Sequence, residues 1–434
     1  MQTSLQGISK RVRSHPKHRF GGLYTLLNEK NLIESFYELR KSGATGVDKV
    51  DFKSYETDLT VNVTNLVDRL KRKSYRAKLV KRVYIPKGDG KFRPLGILTL
   101  EDKMLQKGVA KILNAIYEPV FLHTSFGFRP NIGAKDAVND LKIGLQYGRF
   151  TWVLDSDIES FFTDINHDWL VKMLELKIDD RAFISLIIKW LKAGVLEPDG
   201  EIKHPITGTP QGGIVSPILA NVYLHYVLDL WFEKEVKPNC KGDVRYIRYA
   251  DDTVWAFQYK SDAKAIYSAL KERLAKFSLK LSESKTKLIQ FNRFKGSKNG
   301  RFDFLGFEFR WDTNYKKKMQ IKLRTSRKKL RGSIKSYKDW IKRYRHSKIS
   351  TLMITLRRKL VGYYNYYSVP CNIESLEIFY TKVYWLTYKW LNRRSGRKSY
   401  TATGVLELFK DFNIPKPTIK PMVTRRKVYL TNLP

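Results

Sequence analysis

Two adjacent aspartates, Asp251 and Asp252, stand between two short apolar, β-rich runs at 244–249 and 253–258. Neighbouring like charges repel and aspartate is depleted in strands, so the pair does not fit inside one continuous strand. The two runs therefore predict a strand–turn–strand hairpin that carries both carboxylates at its tip. Another β-rich run at 151–158 is predicted to lie beside the hairpin and to bring Asp157 alongside the pair.

The pattern on either side of this hairpin alternates short β-rich runs with helical periodicity and lacks long βαβ repeats. Helices are predicted at 23–42, 54–72, 101–117, 165–193 and 261–277, and further strands at 75–86 and 302–310. A glycine loop at 208–213 precedes a helix that continues to about residue 236, and KGDG at 87–90 is a turn between two strands. The alternation predicts an α+β domain over about 45–310.

The two ends of the chain differ from this domain in composition. Residues 1–20 are basic without a regular apolar period and predict a flexible basic arm. Residues 315–346 are rich in Lys and Arg, and 349–392 continue as a helical pattern rich in Tyr and Trp. A second domain, helical and basic, is therefore predicted there. The sequence after about residue 400 is again basic and is interrupted by prolines.

The charge balance points to a polyanionic partner. The chain has 82 Lys and Arg residues against 42 Asp and Glu residues, a formal net charge of +40. Nucleic acid is the first candidate for a partner of such a protein. The alternative is a solvated basic surface of the ribosomal-protein type.

Cysteine usage and hydropathy bear on location. Cys240 and Cys371 are too far apart in sequence for a disulfide scaffold or a CxxC zinc module, and they fit a reducing cytosol. No apolar run approaches the length of a membrane span, and the basic N-terminus lacks the apolar segment of a secretory signal. We therefore expect a cytoplasmic protein that does not enter a membrane. Its oligomeric state cannot be deduced from the sequence.

Acidic residues cluster at the predicted strand ends. Asp155 and Asp157 lie in one β-rich run, and Asp251 and Asp252 follow another. Clustered carboxylates repel unless cations bridge them, and hard oxygen ligands select Mg²⁺. Two Mg²⁺ ions held in this way can clamp the attacking and leaving oxygens of a phosphoryl transfer. The alternative for an isolated Asp-Asp pair is an ordinary turn, where aspartate is common.

Seven sequence blocks follow one another in a fixed order. They are IPKGDGKFRPLGI (85–97), SFGFRP (125–130), DSDIESFFTDINHD (155–168), GTPQGGIVSPILANVYL (208–224), RYADD (248–252), LKLSESKTKLI (279–289) and FDFLGFEF (302–309). The series resembles the successive motifs of a reverse transcriptase. The details NHD, TPQGG, YADD and LGF, with ATGVDKVDF (44–52), resemble the bacterial group II intron-encoded reverse transcriptase/maturase family. The resemblance covers about residues 23–400.

The resemblance implies an α+β right-hand polymerase. Fingers and a palm with an antiparallel sheet would be followed by an α-helical thumb/maturase (X) domain, whose resemblance rests on LRGSIKSYKDWIKRYR and LVGYYNYYSVPCN. The implied divisions are a basic N-terminal arm (1–22), an N-terminal extension and start of the fingers (23–84), fingers and palm (85–310), thumb and domain X (311–400) and a basic C-terminal tail (401–434).

The resemblance also implies roles for individual residues. Asp157, Asp251 and Asp252 match the family's catalytic aspartates, which bind two Mg²⁺ ions. Asp157, rather than Asp155, matches the first of them because Phe162 follows five residues later. Phe162 occupies the steric-gate position, where a large ring excludes a ribose 2′-hydroxyl. Ordinary core packing is expected for its neighbour Phe161.

Further residues match positions around the incoming nucleotide and the primer. The residues implied to contact the dNTP, besides Phe162, are Lys87, Arg93, Gln211 and Gly212. Those implied to contact primer or template are Tyr249, Phe304, Leu305 and Gly306. Lys285 lies in the block proposed to protonate the leaving pyrophosphate, and a solvated lysine is its alternative.

The implied function is RNA-directed DNA polymerisation together with binding of group II intron RNA for splicing and retrohoming. Its partners would be structured intron RNA, an RNA template, a DNA primer or target, and dNTPs. One alternative is an RNA-binding splicing factor that has lost polymerisation. Another is a domesticated reverse transcriptase of DNA repair or phage defence. Most aromatic residues of the helical domain, Trp385 included, are expected to fill its core, and the remainder to stack on unpaired bases.

Overall fold

The computed structural model describes residues 4–86, 92–294, 300–395 and 399–421. Its strands are β1 (Val80–Pro86), β2 (Phe92–Ile97), β3 (Trp152–Glu159), β4 (Val195–Leu196), β5 (Ile202–Lys203), β6 (Val244–Tyr249), β7 (Asp252–Phe257), β8 (Lys280–Leu281), β9 (Lys287–Gln290), β10 (Phe302–Phe304), β11 (Phe307–Thr313) and β12 (Met319–Thr325). The predicted α+β character is therefore present.

The helices, in chain order, are α1 (Leu5–Ser14), α2 (Glu29–Tyr37), α3 (Phe52–Thr57), α4 (Leu59–Lys71), α5 (Leu100–Tyr117), α6 (Ala134–Tyr147), α7 (Phe161–Asp164), α8 (His167–Glu175), α9 (Arg181–Leu191), α10 (Ser216–Leu224), α11 (Lys237–Asn239), α12 (Lys260–Lys276), α13 (Arg327–Tyr344), α14 (Ile349–Tyr367), α15 (Ile373–Leu391) and α16 (Ala402–Asp411). Two π-helical stretches, His225–Asp229 and Phe232–Val236, continue the path of α10. None of the described helices combines the length and apolarity needed to cross a membrane.

The central sheet contains the predicted aspartate hairpin. Its order is β6-β7-β3-β8, with β9 also paired to β3, and these pairings are antiparallel. The hairpin prediction is confirmed, with β7 beginning at Asp252 itself rather than at the following residue. Because β3 lies beside β7, the run at 151–158 does flank the hairpin as expected.

Alternate residues of β3 and β7 face opposite sides of this sheet, as the period of a strand requires. Leu154 and Trp255 pack into a core formed with the helices of the N-terminal half. Val153 and Val254 face a second core, which contains residues of β10–β12, α6 and α13–α16. Asp155 and Asp157 lie two and four residues after Val153 in the same strand. Both therefore lie on the face of the sheet directed at the second core.

The hairpin predicted around 87–90 is present as β1 and β2. These strands pair antiparallel from Lys81 opposite Ile97 to Pro86 opposite Phe92. Two short strands extend this sheet in the order β2-β1-β4-β5. The predicted turn itself, including Lys87, lies outside the described residues.

The single strand predicted at 302–310 is wrong, because the segment turns back on itself at Leu305 and Gly306. Both residues have positive φ, 49° and 81°, which reverses the chain between β10 and β11. The strand pattern then continues through β12, which completes a three-stranded sheet. Because β12 lies within 315–346, the start of the segment predicted to be helical is a strand. Phenylalanines alternate at 302 and 304 and again at 307 and 309, so the alternation shifts by one residue across Leu305 and Gly306. One continuous strand would keep a period of two, and this shift was the available signal for the reversal.

The prediction of a flexible N-terminal arm is wrong, and the C-terminal tail contains a helix that was not predicted. The flexible basic arm at 1–22 contains α1, whose Ile8 and Val12 are buried and spaced four residues apart, as one helical face requires. The basic tail at 401–434 contains α16, with Val405 and Phe409 buried at the same spacing. In the N-terminal segment the numerous cations concealed a short apolar stripe, whereas α16 contains only one cation, Lys410.

The helical domain at 349–392 is confirmed as α14 and α15, but one detail of its packing is wrong. Tyr364, Tyr384 and Trp390 are buried, whereas Trp385 is 51% exposed. Trp385 lies on the outer face of α15, one residue after buried Tyr384. A one-residue step rotates a helix by 100°, which is enough to move a ring from the core to the surface.

Candidate active site

The paired register of β3 and β7 places two aspartates opposite each other. Asp157 is the cross-strand partner of Asp252, and Asp251 precedes Asp252 in the turn after β6. Asp155 instead lies opposite Val254, two residues farther from the hairpin tip. Three of the four acidic side chains singled out in the sequence are thus brought together at the tip, while Asp155 stays along the strand.

Lys285 approaches the same carboxylates from the segment between β8 and β9. Its Nζ forms an ion pair with Asp157 Oδ2. This hydrogen bond, together with the charges of Asp157, Asp252 and Asp251, raises the pKa of Lys285 above its usual value. The Lys285 side chain is 64% exposed, so it is both solvated and bonded to a carboxylate of the site.

The carboxylates influence one another's protonation. Burial raises the pKa of Asp251, and the charge of Asp157 adds to this effect. Asp252 is also exposed in part. Loss of hydration nevertheless raises its pKa to about 7, and the charges of Asp251 and Asp157 add to this effect. Burial and the charge of Asp252 also raise the pKa of Asp155 to about 7. Burial is the largest cause of each of these pKa shifts, and the neighbouring carboxylate charges add to it.

A divalent cation suits this donor set. Among the described residues, no three His, Cys, Asp or Glu side chains already converge in the geometry of a metal site. The three carboxylates at the tip are nevertheless hard oxygen donors, the ligand type that Mg²⁺ prefers. The Lys285 ammonium, bonded to Asp157, shows that a positive charge is accepted beside them. The residues therefore fit Mg²⁺ in chemistry and charge.

The aspartate turn (residues 250–251) is supported from beneath by a buried ion pair that sequence reasoning missed. Arg248 contacts Asp229 through two hydrogen bonds, Nε to Oδ1 at 2.8 Å and Nη2 to Oδ2 at 2.6 Å. Both side chains are completely buried. Burial alone would raise the pKa of Asp229, but the Arg248 charge and hydrogen bonds outweigh it and lower that pKa below its usual value.

Arg248 also reaches the turn directly. Its Nη1 donates to the carbonyl oxygen of Ala250 at 3.2 Å and to Asn221 Oδ1 at 3.0 Å. Ala250 has a φ of 57°, a left-handed conformation that non-glycine residues rarely adopt. The arginine thus fixes a strained residue immediately before Asp251. An arginine inside an apolar strand pattern was the available signal, because a buried charge requires a partner.

The loop that contains the FGFRP sequence packs against the other side of this turn. A Cβ atom added to Gly127 would lie 2.2 Å from the backbone nitrogen of Ala250. Asn221 Nδ2 donates to the Gly127 carbonyl at 2.7 Å, which joins this loop to the same buried network. A glycine is required at this contact because a side chain would push the aspartate turn away.

Residues predicted to contact the nucleotide come from two segments that touch each other. Arg93 lies on β2, and its charge partly offsets the raised pKa of Asp251, so the two side chains are near each other. The loop with Gln211 and Gly212 contacts β2, since a Cβ added to Gly212 would lie 2.3 Å from the Gly96 carbonyl oxygen. Gly212 has a φ of 116°, which glycine tolerates best.

Phe162 and Phe161 differ in burial, as expected. Phe161 is buried in the core, and Phe162 is half-buried with its ring edge-on to Phe161 at 5.3 Å. On its other side Phe162 faces Phe128, at 6.2 Å, an exposed aromatic residue that sequence reasoning did not single out. The Phe162 backbone carbonyl accepts from Thr209 at 2.7 Å, which joins this segment to the glycine loop.

The leucine–glycine turn (Leu305 and Gly306), together with Phe304 before it, contains three of the four residues predicted to contact primer or template. Phe304 is buried beneath it, whereas Leu305 is half-buried. Asp303, on β10, adds its charge to the forces that raise the pKa of Asp155, so this hairpin lies beside the acidic face of the central sheet. Tyr249 pairs with Asp252 across the other hairpin.

Comparisons with known proteins identify the family of this chain. A family profile described as "Reverse transcriptase (RNA-dependent DNA polymerase)" matches residues 85–309, just over half of the chain. The group II intron-encoded protein LtrA of Lactococcus lactis subsp. cremoris is 28% identical over 497 residues, covering 94% of this chain and 80% of LtrA.

Two further relatives match a shorter stretch. Protein YkfC of Escherichia coli K12 is 33% identical over 277 residues, 57% of this chain and 72% of YkfC. A 91 kDa protein in the cob intron of Schizosaccharomyces pombe is 36% identical over 247 residues, 56% of this chain and 29% of that protein. The chain belongs to the reverse transcriptase (RNA-dependent DNA polymerase) family and, within it, to the group II intron-encoded reverse transcriptases and maturases.

Proposed function

We propose that this protein extends a primer 3′-hydroxyl with dNTPs on an RNA template. The observation that carries the proposal is the meeting of Asp157, Asp251 and Asp252 at one hairpin tip, with Asp157 directly opposite Asp252. These three carboxylates would hold the two Mg²⁺ ions. When bound, the ions supply a lowered pKa of the attacking hydroxyl and stabilisation of charge on the leaving pyrophosphate.

The surrounding side chains have roles that fit their positions. Arg93, with Lys87 from the turn outside the described residues, would bind the triphosphate, since paired cations stabilise phosphate charge. Gln211 and Gly212 would lie against the nucleotide sugar and template. Lys285, held at Asp157, would deliver a proton to pyrophosphate. Tyr249 and the leucine–glycine turn, with Phe304 beneath it, would support the primer terminus.

The same proposal assigns the parts of a right-hand polymerase. The central sheet with its aspartate hairpin would be the palm, and the β2-β1-β4-β5 sheet would belong to the fingers. Residues 311–400 would form the thumb and maturase domain, with α13–α15 as its helices. The division at 310 falls within β11, so the three-stranded sheet would connect palm to thumb. Residues 23–84 would be the N-terminal extension and start of the fingers, preceded by the basic N-terminal segment 1–22.

We further propose that the protein binds structured group II intron RNA and assists its splicing and retrohoming. The exposed face of α13 supports this, because Arg331, Lys335, Lys338 and Lys342 are exposed along it. Such a face binds phosphates by releasing counterions. Exposed Trp385 offers a ring for stacking on an unpaired base. Two free cysteines fit a reducing compartment, so the proposal places this activity in the cytoplasm.

Primer extension on an RNA template tests the polymerase. Asp251→Asn is expected to lower dNTP incorporation about a thousandfold, because losing several kcal/mol of transition-state stabilisation has that effect. Asp243→Asn is a matched control, since Asp243 is exposed at the opposite end of the same hairpin. It should retain full activity.

The result also decides between the polymerase and a splicing factor that only binds RNA. If the wild-type protein binds and splices intron RNA but adds no dNTP in Mg²⁺, the polymerase proposal is wrong. If it polymerises but neither binds nor splices the intron RNA adjacent to its gene, the maturase proposal is wrong and a domesticated enzyme remains.

Phe162→Ala tests the proposed steric gate. The smaller side chain should admit a 2′-hydroxyl and reduce discrimination against rNTPs by at least about tenfold. Single-nucleotide incorporation with matched dNTP and rNTP pairs measures the ratio. A variant that retains dNTP incorporation and unchanged discrimination would show that Phe162 is not the gate.

A further inference from the structure

The leucine–glycine turn is held by contacts from a helix that lies far away in sequence. Leu305 has a φ of 49°, in the left-handed region that an ordinary side chain disfavours, and Gly306 follows at 81°. Such a conformation persists when surrounding groups fix it. The question is which groups do so here.

Tyr366, near the C-terminal end of α14, is one of them. Its hydroxyl donates a 2.8 Å hydrogen bond to the carbonyl oxygen of Leu305. Its ring lies nearly parallel to that of Phe307, with 5.8 Å between ring centres and 17° between planes. On the other side of the turn, the Ser326 amide donates to the Gly306 carbonyl at 2.9 Å. The turn is therefore held on both of its central carbonyls.

Tyr366 also faces the candidate active site. Its side chain is 36% exposed, unlike the neighbouring Tyr367, which is buried. Burial raises the pKa of Tyr366 to about 12, with smaller contributions from Tyr367, Tyr249 and Asp252, so the latter two lie nearby. At neutral pH the hydroxyl thus remains protonated and can donate to Leu305.

We propose that Tyr366 is a positioning residue for the primer terminus: through Leu305 it holds the leucine–glycine turn in place beside the catalytic aspartates. This inference rests on the proposed polymerase function. It connects the placement of α14 to the placement of the primer end, because the same hydroxyl joins the two. A shift of α14 relative to the central sheet would then release the turn.

Tyr366→Phe removes the hydroxyl and keeps the ring on Phe307. We expect the single-turnover rate of matched dNTP addition, at saturating primer–template, to fall about two- to tenfold, as losing one hydrogen bond predicts. The dissociation constant of the primer–template should change less than the rate, because the bond places the primer end rather than binding the duplex.

Tyr337→Phe is the matched control. Tyr337 on α13 makes a 2.6 Å hydroxyl contact with Thr387 on α15, so the variant loses a similar bond within the helical region but none to the turn. It should lower the thermal unfolding midpoint at least as much as Tyr366→Phe and leave the rate of dNTP addition unchanged.

Amide hydrogen exchange supplies a readout that does not depend on activity. Exchange at Ser326, whose amide is bonded to the turn, should accelerate in Tyr366→Phe and not in Tyr337→Phe. If exchange and dNTP addition match the wild type in Tyr366→Phe, or if both variants slow addition equally, the inference is wrong. Absence of dNTP addition by the wild-type protein would instead overturn the proposed function itself.

Discussion

Two tight turns border the candidate active site, and they are stabilised in different ways. The aspartate turn contains Ala250 at φ 57°, and the leucine–glycine turn contains Leu305 at φ 49°. The first is held from below by Arg248, which is completely buried with Asp229. The second is held from the side by Tyr366, a partly exposed residue of α14. The two turns thus have similar backbone strain but different support: buried core residues hold the aspartate turn, and a neighbouring helix holds the leucine–glycine turn.

The difference indicates which part of the site can move. The ion pair beneath the aspartate turn has no solvent access, and breaking it leaves a charge in an apolar environment. The hydrogen bond on the leucine–glycine turn can exchange with water at much smaller cost. The carboxylates are therefore expected to be rigid, and the primer-side turn to respond to the position of the C-terminal helices.

Among variants that affect the two turns, Arg248→Met is expected to have the largest effect on the free energy of unfolding. Removing one partner of a buried ion pair costs about 3–5 kcal/mol of unfolding free energy. Asp229 would remain buried without its arginine, next to only Tyr246 and His225 of its present partners. Urea unfolding measures this loss, and primer extension should show a parallel loss of activity because Ala250 loses its hydrogen bond.

A double variant, Arg248→Met with Asp229→Leu, separates the two consequences. Removing both charges should recover part of the stability, since no unpaired charge remains. Activity should stay low, because nothing replaces the bond to the Ala250 carbonyl. If activity returns together with stability, Arg248 acts only on folding and the contrast between the turns is weaker than proposed.

A smaller effect is expected from paired glycine substitutions. The Cβ of Gly127→Ala would lie 2.2 Å from the Ala250 nitrogen, so backbone must shift, at about 1–3 kcal/mol for such overpacking. The Cβ of Gly306→Ala meets no backbone, and Tyr367 Oη is its nearest atom at 3.0 Å. Its cost, about 1–2 kcal/mol, comes from the positive φ.

Primer extension and urea unfolding of the two alanine variants test the comparison directly. For a similar loss of stability, Gly127→Ala should reduce dNTP incorporation more, because it displaces Asp251 itself. A greater loss of activity in Gly306→Ala would reverse the assignment of the rigid and the adjustable turn. Tyr366→Phe should have the smallest effect of the series.

Much of the candidate site was predictable because its signals are local. The aspartate hairpin follows from two β-rich runs on either side of like charges, and the structure has it at β6 and β7. The choice of Asp157 over Asp155 agrees with the register, which sets Asp157 opposite Asp252. The catalytic roles of these residues remain predictions.

Other features were missed because their pattern has two interpretations. Ile8 and Val12 form a buried helical stripe, but the surrounding cations resemble a disordered arm. The phenylalanines of 302–309 alternate on each side of Leu305 and Gly306, but the three-residue step from Phe304 to Phe307, where the chain reverses, was overlooked. At the N-terminus the local pattern fits both an arm and a helix, and only packing against the rest of the chain selects the helix.

The sequence by itself determined the order of the elements, the basic surface and the acidic hairpin tip, because charge and periodicity are properties of neighbouring residues. The tertiary structure alone decided that Arg248 would meet Asp229 across 19 positions and that Tyr366 would reach Leu305 across 61. Hydrogen bonds between distant segments depend on how sheets and helices pack, and no local pattern encodes that geometry. The sequence therefore predicts the residues that would do the chemistry, whereas the residues that hold them in place are identified only from the fold.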